Sequence, residues 1–254
     1  MADEVLTETR GRILVITLNR PEAMNAINQA LTDQLAAALD RLDTDAQLTA
    51  GVLTGNGRGF SAGMDLKAFV TDGLPTAGDR GFGGITNRGP EKPLIAAIEG
   101  FALAGGLELA LSCDIIVAAK GAKLGIPEAG VGLFAAAGAL LRLPRVLPYG
   151  LAMKMALTAR PITAEVAHQY GLVTELTEPG QALSAALDLA EQISRNAPMS
   201  LKASKALIRE TQGRTEAEFW AYQQAEHMHV FTSKDAIEGP TAFAEKRPPN
   251  WHGE

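Results

Sequence analysis

Three stretches near the middle of the chain decide how the rest is read. Pro93-Leu94-Ile95-Ala96-Ala97-Ile98 is a short apolar run. Gly105-Gly106-Leu107-Glu108-Leu109-Ala110-Leu111-Ser112 reads as a helix opening, and Asp114-Ile115-Ile116-Val117-Ala118 as a second apolar run. A buried strand, a helix and another buried strand in 26 residues is the signature of crossover connections in an α/β protein.

The same alternation extends in both directions. Arg12–Asn19 (RILVITLN) is β-branched and apolar, as a buried strand should be, and Arg20-Pro21 ends it. Asn28–Asp43 carries Leu31, Leu35, Leu39 and Leu42 on one helical face. Gly51–Thr54 reads as a short strand, followed by a loop with Gly55, Gly57, Gly59 and Gly63. Residues 71–90, rich in Gly, Pro and polar side chains, read as a mobile loop. Helices are expected at 150–158, at 163–170 (stopped by Gly171) and at 181–195. Residues 199–231 read as wholly helical, before the tail Lys246-Arg247-Pro248-Pro249-Asn250. The fold class is therefore α/β over 1–195, with a helical appendage over 196–254. The strands are short and the glycines frequent, which fits a spiral of small ββα turns as well as a flat doubly wound sheet.

Composition narrows the function. The chain has 254 residues, 29 acidic against 23 basic, for a net charge of −6. That balance argues against sequence-independent nucleic-acid binding. The single Cys113 excludes an intramolecular disulfide and a cysteine-rich metal site. The longest uncharged apolar stretch, Ala129–Leu141, has 13 residues, whereas a membrane span needs roughly 20. The N-terminus is acidic where a secretory leader would be basic. A cytoplasmic enzyme, without nucleic acid or membrane as partner, is the expectation.

Two acids stand out. Glu108 lies among small and apolar neighbours, and Glu128 follows Gly125-Ile126-Pro127 and precedes another apolar run. Burial disfavours the charged carboxylate and raises its pKa, so two such acids suit paired acid–base work. Surface acids on amphipathic elements would give the same pattern. Gly105-Gly106 at a helix start leaves N–H groups free to hold an oxyanion, and equally suits close helix–strand packing.

Other signals are weaker. Gly59-Phe60-Ser61-Ala62-Gly63 matches the G-x-S-x-G elbow of serine hydrolases, but Gly55–Arg58 separates it from the nearest strand. None of His168, His227, His229 or His252 has a persuasive setting for a triad. His227 and His229 sit about 200° apart on a helix, unsuited to joint metal binding. Gly130-x-Gly132 resembles half a dinucleotide fingerprint, but no strand leads into it. Cys113 reads as a buried small hydrophobe. Arg58, Lys67, Arg80, Arg88 and Lys92 form a basic scatter that suits either phosphate contacts or a solvated face.

The ordered set of motifs is more specific than any member. It comprises Asn19-Arg20-Pro21 with Asn25-Ala26, Phe60-Ser61-Ala62-Gly63-Met64-Asp65-Leu66, Lys92–Gly100, Ala104–Ala110, Cys113-Asp114, Pro127-Glu128 and Phe243–Arg247. Together these resemble the enoyl-CoA hydratase/isomerase (crotonase) family from about residue 5 to 250. The resemblance implies a spiral of ββα turns with a C-terminal helical trimerisation region, assembled as a homotrimer or dimer of trimers. It implies an acyl-CoA thioester substrate and no metal or redox cofactor, coenzyme A being part of the substrate. It assigns the oxyanion-binding N–H groups to Met64 and Gly105, and acid–base roles to Glu108 and Glu128. It places CoA contacts at Met24, Ala26, Ala62, Gly63, Asp65, Leu66 and Lys67, with Lys246 reaching a neighbouring subunit's CoA. Residues 71–90 would cover the acyl chain and order on ligand binding. The implied reaction is hydration of a 2-enoyl-CoA. Isomerase, hydrolase or lyase chemistry of the same family is the alternative, with a Ser61 hydrolase more remote. The sequence departs from the common hydratase pattern at Ala104, where many members have glycine, and at Ala135–Leu143, which is bulkier than usual.

Overall fold

The computed structural model describes residues 3–254. The first half runs β1 (Val5–Arg10), β2 (Ile13–Leu18), α1 (Gln29–Thr44), β3 (Ala50–Gly55), α2 (Leu66–Asp72), β4 (Thr76–Ala77), β5 (Gly81–Phe82), β6 (Leu94–Ile98), β7 (Phe101–Leu103) and α3 (Gly105–Ala110). The second half runs β8 (Ile115–Ala119), β9 (Lys123–Gly125), α4 (Ala139–Val146), α5 (Tyr149–Thr158), β10 (Ile162–Thr163), α6 (Ala164–Gln169), β11 (Glu175–Thr177), α7 (Ala182–Ser194), α8 (Pro198–Glu210), α9 (Glu216–Phe231) and α10 (Lys234–Glu245).

The main sheet has the order β1-β2-β3-β6-β8-β11, parallel throughout except for the β1–β2 hairpin. Its central strands β2, β3, β6 and β8 are apolar on both faces because both are covered. Ile13, Val52, Ile95, Ala97 and Val117 face Ala182, Ala186 and Ala190 of α7. The alternate residues Leu14, Ile16, Leu53, Ala96, Ile98, Ile116 and Ala118 join the larger core, which includes the α1 leucines Leu31, Leu35, Leu39 and Leu42. The period-two side-chain alternation of a strand thus sorts one sequence run between two cores.

A smaller sheet, β10-β9-β7, is extended by a bridge from Ala102 to Ser61. Each turn of the chain contributes one strand to the main sheet, one short segment to the small sheet, and then a helical turn. The series is β3, Ser61, α2; then β6, β7, α3; then β8, β9 and the 3-10 turn Pro127–Val131. This is the spiral, rather than the flat sheet, of the two arrangements left open by spacing. The corner between β6 and β7 requires Gly100, which has φ +57° and whose β-carbon would lie 2.0 Å from Arg58 O.

Two expectations are corrected. Residues 71–90 are not wholly a mobile loop. β4 pairs with β5, and Arg80, Phe82, Ile85 and Thr86 are buried. Arg80 bridges to Asp40 at 2.6 Å and Asp43 at 3.6 Å, so contacts with α1 hold this segment. Residues 199–231 are not one helix either. Turns around Gly213 (φ +90°) separate α8 from α9, and Thr215 with Glu218 forms a capping box that starts α9 afresh. α8 is fastened to the body by Lys205–Asp114 (2.7 Å) and Arg209–Asp114 (2.9 Å), whereas α9 has no buried residue. Among the described residues no helix is long and apolar enough to cross a membrane.

Candidate active site

The site is built where α3 begins. Ala104 holds φ +50° and ψ −130°, so the chain turns sharply from β7 into the helix. Its N–H donates to Gly125 O of β9 at 2.9 Å. Gly105 is the first helical residue, and a first-turn N–H has no intrahelical acceptor. Met64 forms a parallel bridge with Ile27: Ile27 N–H donates to Gly63 O at 2.8 Å, and Asp65 N–H donates to Ile27 O at 2.9 Å. In that pattern the N–H of Met64 itself lies on the side away from Ile27. Neither Met64 N–H nor Gly105 N–H has an acceptor among the described residues. They are neighbours: a β-carbon on Gly105 would lie 3.5 Å from Met64 N, and one on Gly63 would lie 3.0 Å from Gly105 N.

The glycines also allow close packing. A β-carbon on Gly106 would meet Ser61 O at 2.4 Å, and one on Gly105 would meet the Phe82 ring at 2.6 Å. Phe82, within the segment read as a loop, therefore sits directly against Gly105.

The two acids have unequal surroundings. Glu108, one turn into α3, is 3% exposed. Its Oε1 accepts from Ala137 N–H at 2.7 Å and Ala139 N–H at 3.1 Å. Burial pushes its carboxyl up to about 7, against the pull of those two N–H groups. The charge of Glu128 pushes the same way and that of Arg142 opposes it, so both ionised groups act on Glu108. Glu128, in the 3-10 turn Pro127–Val131, is half-buried and also raised by burial. Its Oε2 is fully covered and has no hydrogen-bond partner among the described residues. Glu108 is thus gripped by a second segment, whereas on Glu128 only its own N–H opposes the effect of burial.

The remaining sequence candidates divide. Met24 has φ +54° and accepts from Ala62 N–H at 3.0 Å, so the 24–26 and 62–66 segments are brought side by side. Ala26 O accepts from Arg20, whose guanidinium also pairs with Asp65 at 3.0 Å. Asp65 caps α2 through the N–H groups of Lys67 and Ala68, leaving Leu66 and Lys67 exposed at the helix start. Lys246 lies apart, exposed at the C-terminus of α10, and makes no hydrogen bond or ion pair with these segments among the described residues.

Ser61 departs from the hydrolase alternative. It is fully buried, its hydroxyl donates to Asn25 O at 2.8 Å and accepts from Gly63 N–H at 3.1 Å, and no histidine reaches it. The basic scatter is largely structural as well. Arg80 pairs with Asp40, Arg88 with Asp79, and Lys92 Nζ donates to Asp45 O at 2.7 Å, leaving Arg58 and Lys67 exposed. Cys113 packs against the core with Sγ 3.5 Å from Leu109 O, and burial pushes its thiol up. Sequence reasoning missed Ala137, Ala139, Arg142 and Phe82, because backbone donors and packing rings leave no residue-type signal.

The chain is similar to known proteins over nearly its whole length. The family model described as "Enoyl-CoA hydratase/isomerase" matches residues 8–254. An enoyl-CoA hydratase of Mycobacterium tuberculosis is 43% identical over 98% of this chain and 96% of its own length. A carnitinyl-CoA dehydratase of Salmonella arizonae is 39% identical over 100% of both chains. The crystal structure of an enoyl-CoA hydratase from Mycobacterium marinum superposes with a TM-score of 0.97, at 52% identity and with full coverage of both chains.

Proposed function

The chain belongs to the enoyl-CoA hydratase/isomerase family, and from that premise we propose that it hydrates the 2,3 double bond of a 2-enoyl-CoA thioester, reversibly. The observation that carries this reading is the pair of burial-raised carboxyls, one of them on the helix that opens at the free Gly105 amide. Adding a nucleophile at C3 moves charge onto the thioester oxygen, and the N–H groups of Met64 and Gly105 would receive it. In other enzymes the loss of one such donor lowers the rate on the order of 100–1000-fold.

The acids divide the proton work. Two N–H groups on Glu108 Oε1 favour its ionised form and leave Oε2 to accept a proton from water. Burial raises Glu128 as well, against the pull of one backbone N–H, its own, and its protonated form would deliver a proton to C2. Water oxygen bonds to C3, its proton goes to Glu108, and the proton of Glu128 goes to C2. Transfer of a proton from Glu108 to Glu128 restores the starting state. Run backwards, the same steps dehydrate a 3-hydroxyacyl-CoA, the direction named for the carnitinyl-CoA relatives.

The adjoining 24–26 and 62–66 segments would carry the CoA moiety, with Lys67 at a phosphate. The exposed apolar residues Trp220, Met228 and Phe231 on α9 support burial in a homotrimer or dimer of trimers, where Lys246 would approach a neighbouring subunit's ligand. A cytoplasmic location belongs to the same proposal.

A panel of 2-enoyl-CoA esters of increasing length, followed by loss of the conjugated-thioester absorbance, tests the activity. Decay of that absorbance with 3-hydroxyacyl-CoA as product is the expected result. No turnover of any 2-enoyl ester, together with a shift of the double bond in a 3-enoyl ester or release of free thiol, would replace hydration by isomerisation or hydrolysis.

A further inference from the structure

The grip on Glu108 depends on a turn that lies outside α3. Ala137, Gly138 and Ala139 lead into α4, and this turn supplies both N–H groups that hold Oε1. A single guanidinium braces it. Arg142 Nη1 donates to Ala137 O at 3.2 Å, and Nη2 donates to Thr86 O at 2.6 Å. Arg142 therefore ties the turn to the buried segment that carries Phe82. Gly138 makes the approach possible: it has φ +110°, and a β-carbon there would lie 2.1 Å from Arg142 Nη1. The planar fork of arginine spans two carbonyls on different segments, which the point-like ammonium of lysine does not do.

We infer that Arg142 is a positioning residue for hydration, fastening the 137–139 turn to Thr86 so that Ala137 and Ala139 hold Glu108 Oε1 and aim its other oxygen at the reacting water. This inference rests on Glu108 acting as the base. Arg142 does not touch substrate in this account. It acts through the backbone, and its positive charge also faces Glu108. The charged groups around the acid are Glu128 from the 3-10 turn and Arg142 from α4, with Arg145 on α4 and Arg209 on α8 acting on Arg142 itself.

The test compares Arg142→Lys, Arg142→Gln and Gly138→Ala with the wild-type enzyme, using crotonyl-CoA over a range of pH. A misplaced catalytic group lowers turnover by as much as about 100-fold. Both Arg142 variants should lose about 10- to 100-fold in kcat with KM changed less than about threefold. In Arg142→Gln, loss of the positive charge should also move the acidic limb of the pH profile upward, whereas in Arg142→Lys the limb stays in place. Gly138→Ala, which displaces the guanidinium without removing its charge, should resemble Arg142→Lys, and it decides the matter if the Arg142 variants do not fold. Folded variants with wild-type kcat and an unmoved limb overturn the inference. Glu108→Gln run alongside separates the two claims: full activity there removes the base itself, while its inactivity beside fully active Arg142 variants removes only the positioning role.

Discussion

Ala137 N–H donates to Glu108 Oε1 at 2.7 Å, although 29 positions separate the two residues in the chain. That bond, with its companion from Ala139, links the spiral turn bearing the first acid to the segment running on from the second. It also sets a contest at Glu108 between burial and hydrogen bonding, with consequences for stability as well as turnover.

In the folded protein burial pushes the Glu108 carboxyl up to about 7 from its ordinary value of 4.5. Between those values the folded state binds more protons than the unfolded state, so stability falls as pH rises through that window. Glu108→Gln keeps an oxygen for the two N–H groups and removes the buried charge. The variant should therefore be more stable than wild type at pH 8, by on the order of 2–3 kcal/mol. The difference should shrink toward zero near pH 4.5. Denaturant melts at the two pH values check this, and a constant difference contradicts it.

Glu128→Gln removes a carboxyl whose ionised form acts on Glu108 as a like charge. The titration of Glu108 should move down, while remaining above the ordinary carboxyl range because burial persists. Carbon-13 NMR titration of the labelled Glu108 carboxyl reads the shift. An unchanged or raised midpoint would mean that the two acids do not interact.

Much of this was legible in the sequence, for physical reasons. Within the runs Pro93–Ile98 and Asp114–Ala118, residues 94–98 and 116–118 are buried on both faces, so their apolar character is continuous. The α1 leucines recur at helical spacing and line the core as expected. By contrast β1 has only Val5 buried, and β7 and β9 are three residues each, too short for periodicity to register. Residues 71–90 read as a loop because their Gly, Pro and polar content suggests solvent, whereas within them the charge of Arg80 is neutralised by Asp40 and Asp43 from a distant helix. The two glutamates were visible as isolated acids. What distinguishes them, two N–H groups from a distant turn on Glu108 and a covered, unpartnered Oε2 on Glu128, is a property of the folded chain alone.

Ala104 stands in a conformation that suits glycine, with φ +50° and ψ −130°. Such strain costs of order 1–3 kcal/mol, partly offset by the greater unfolded-state freedom that glycine would introduce. Ala104→Gly should raise stability by about 1 kcal/mol. A destabilised Ala104→Gly variant would mean that the methyl group contributes more by packing against Gly63 than it loses by strain.

Ser61 bridges Asn25 and Gly63 through its hydroxyl. Ser61→Ala leaves the buried Gly63 N–H without its acceptor, which costs about 1–3 kcal/mol. Stability should fall by that amount, turnover per folded molecule should stay within about tenfold, and an organophosphonate should not label the wild-type enzyme. Covalent labelling at Ser61 would restore the hydrolase alternative.

The most direct test of the two-acid account is the steady-state hydration of crotonyl-CoA by Glu108→Gln and Glu128→Gln, alongside binding of a non-reactive acyl-CoA. The account predicts that each substitution lowers kcat at least about 100-fold while acyl-CoA affinity stays within a few-fold of wild type. Wild-type turnover in either folded variant would contradict it.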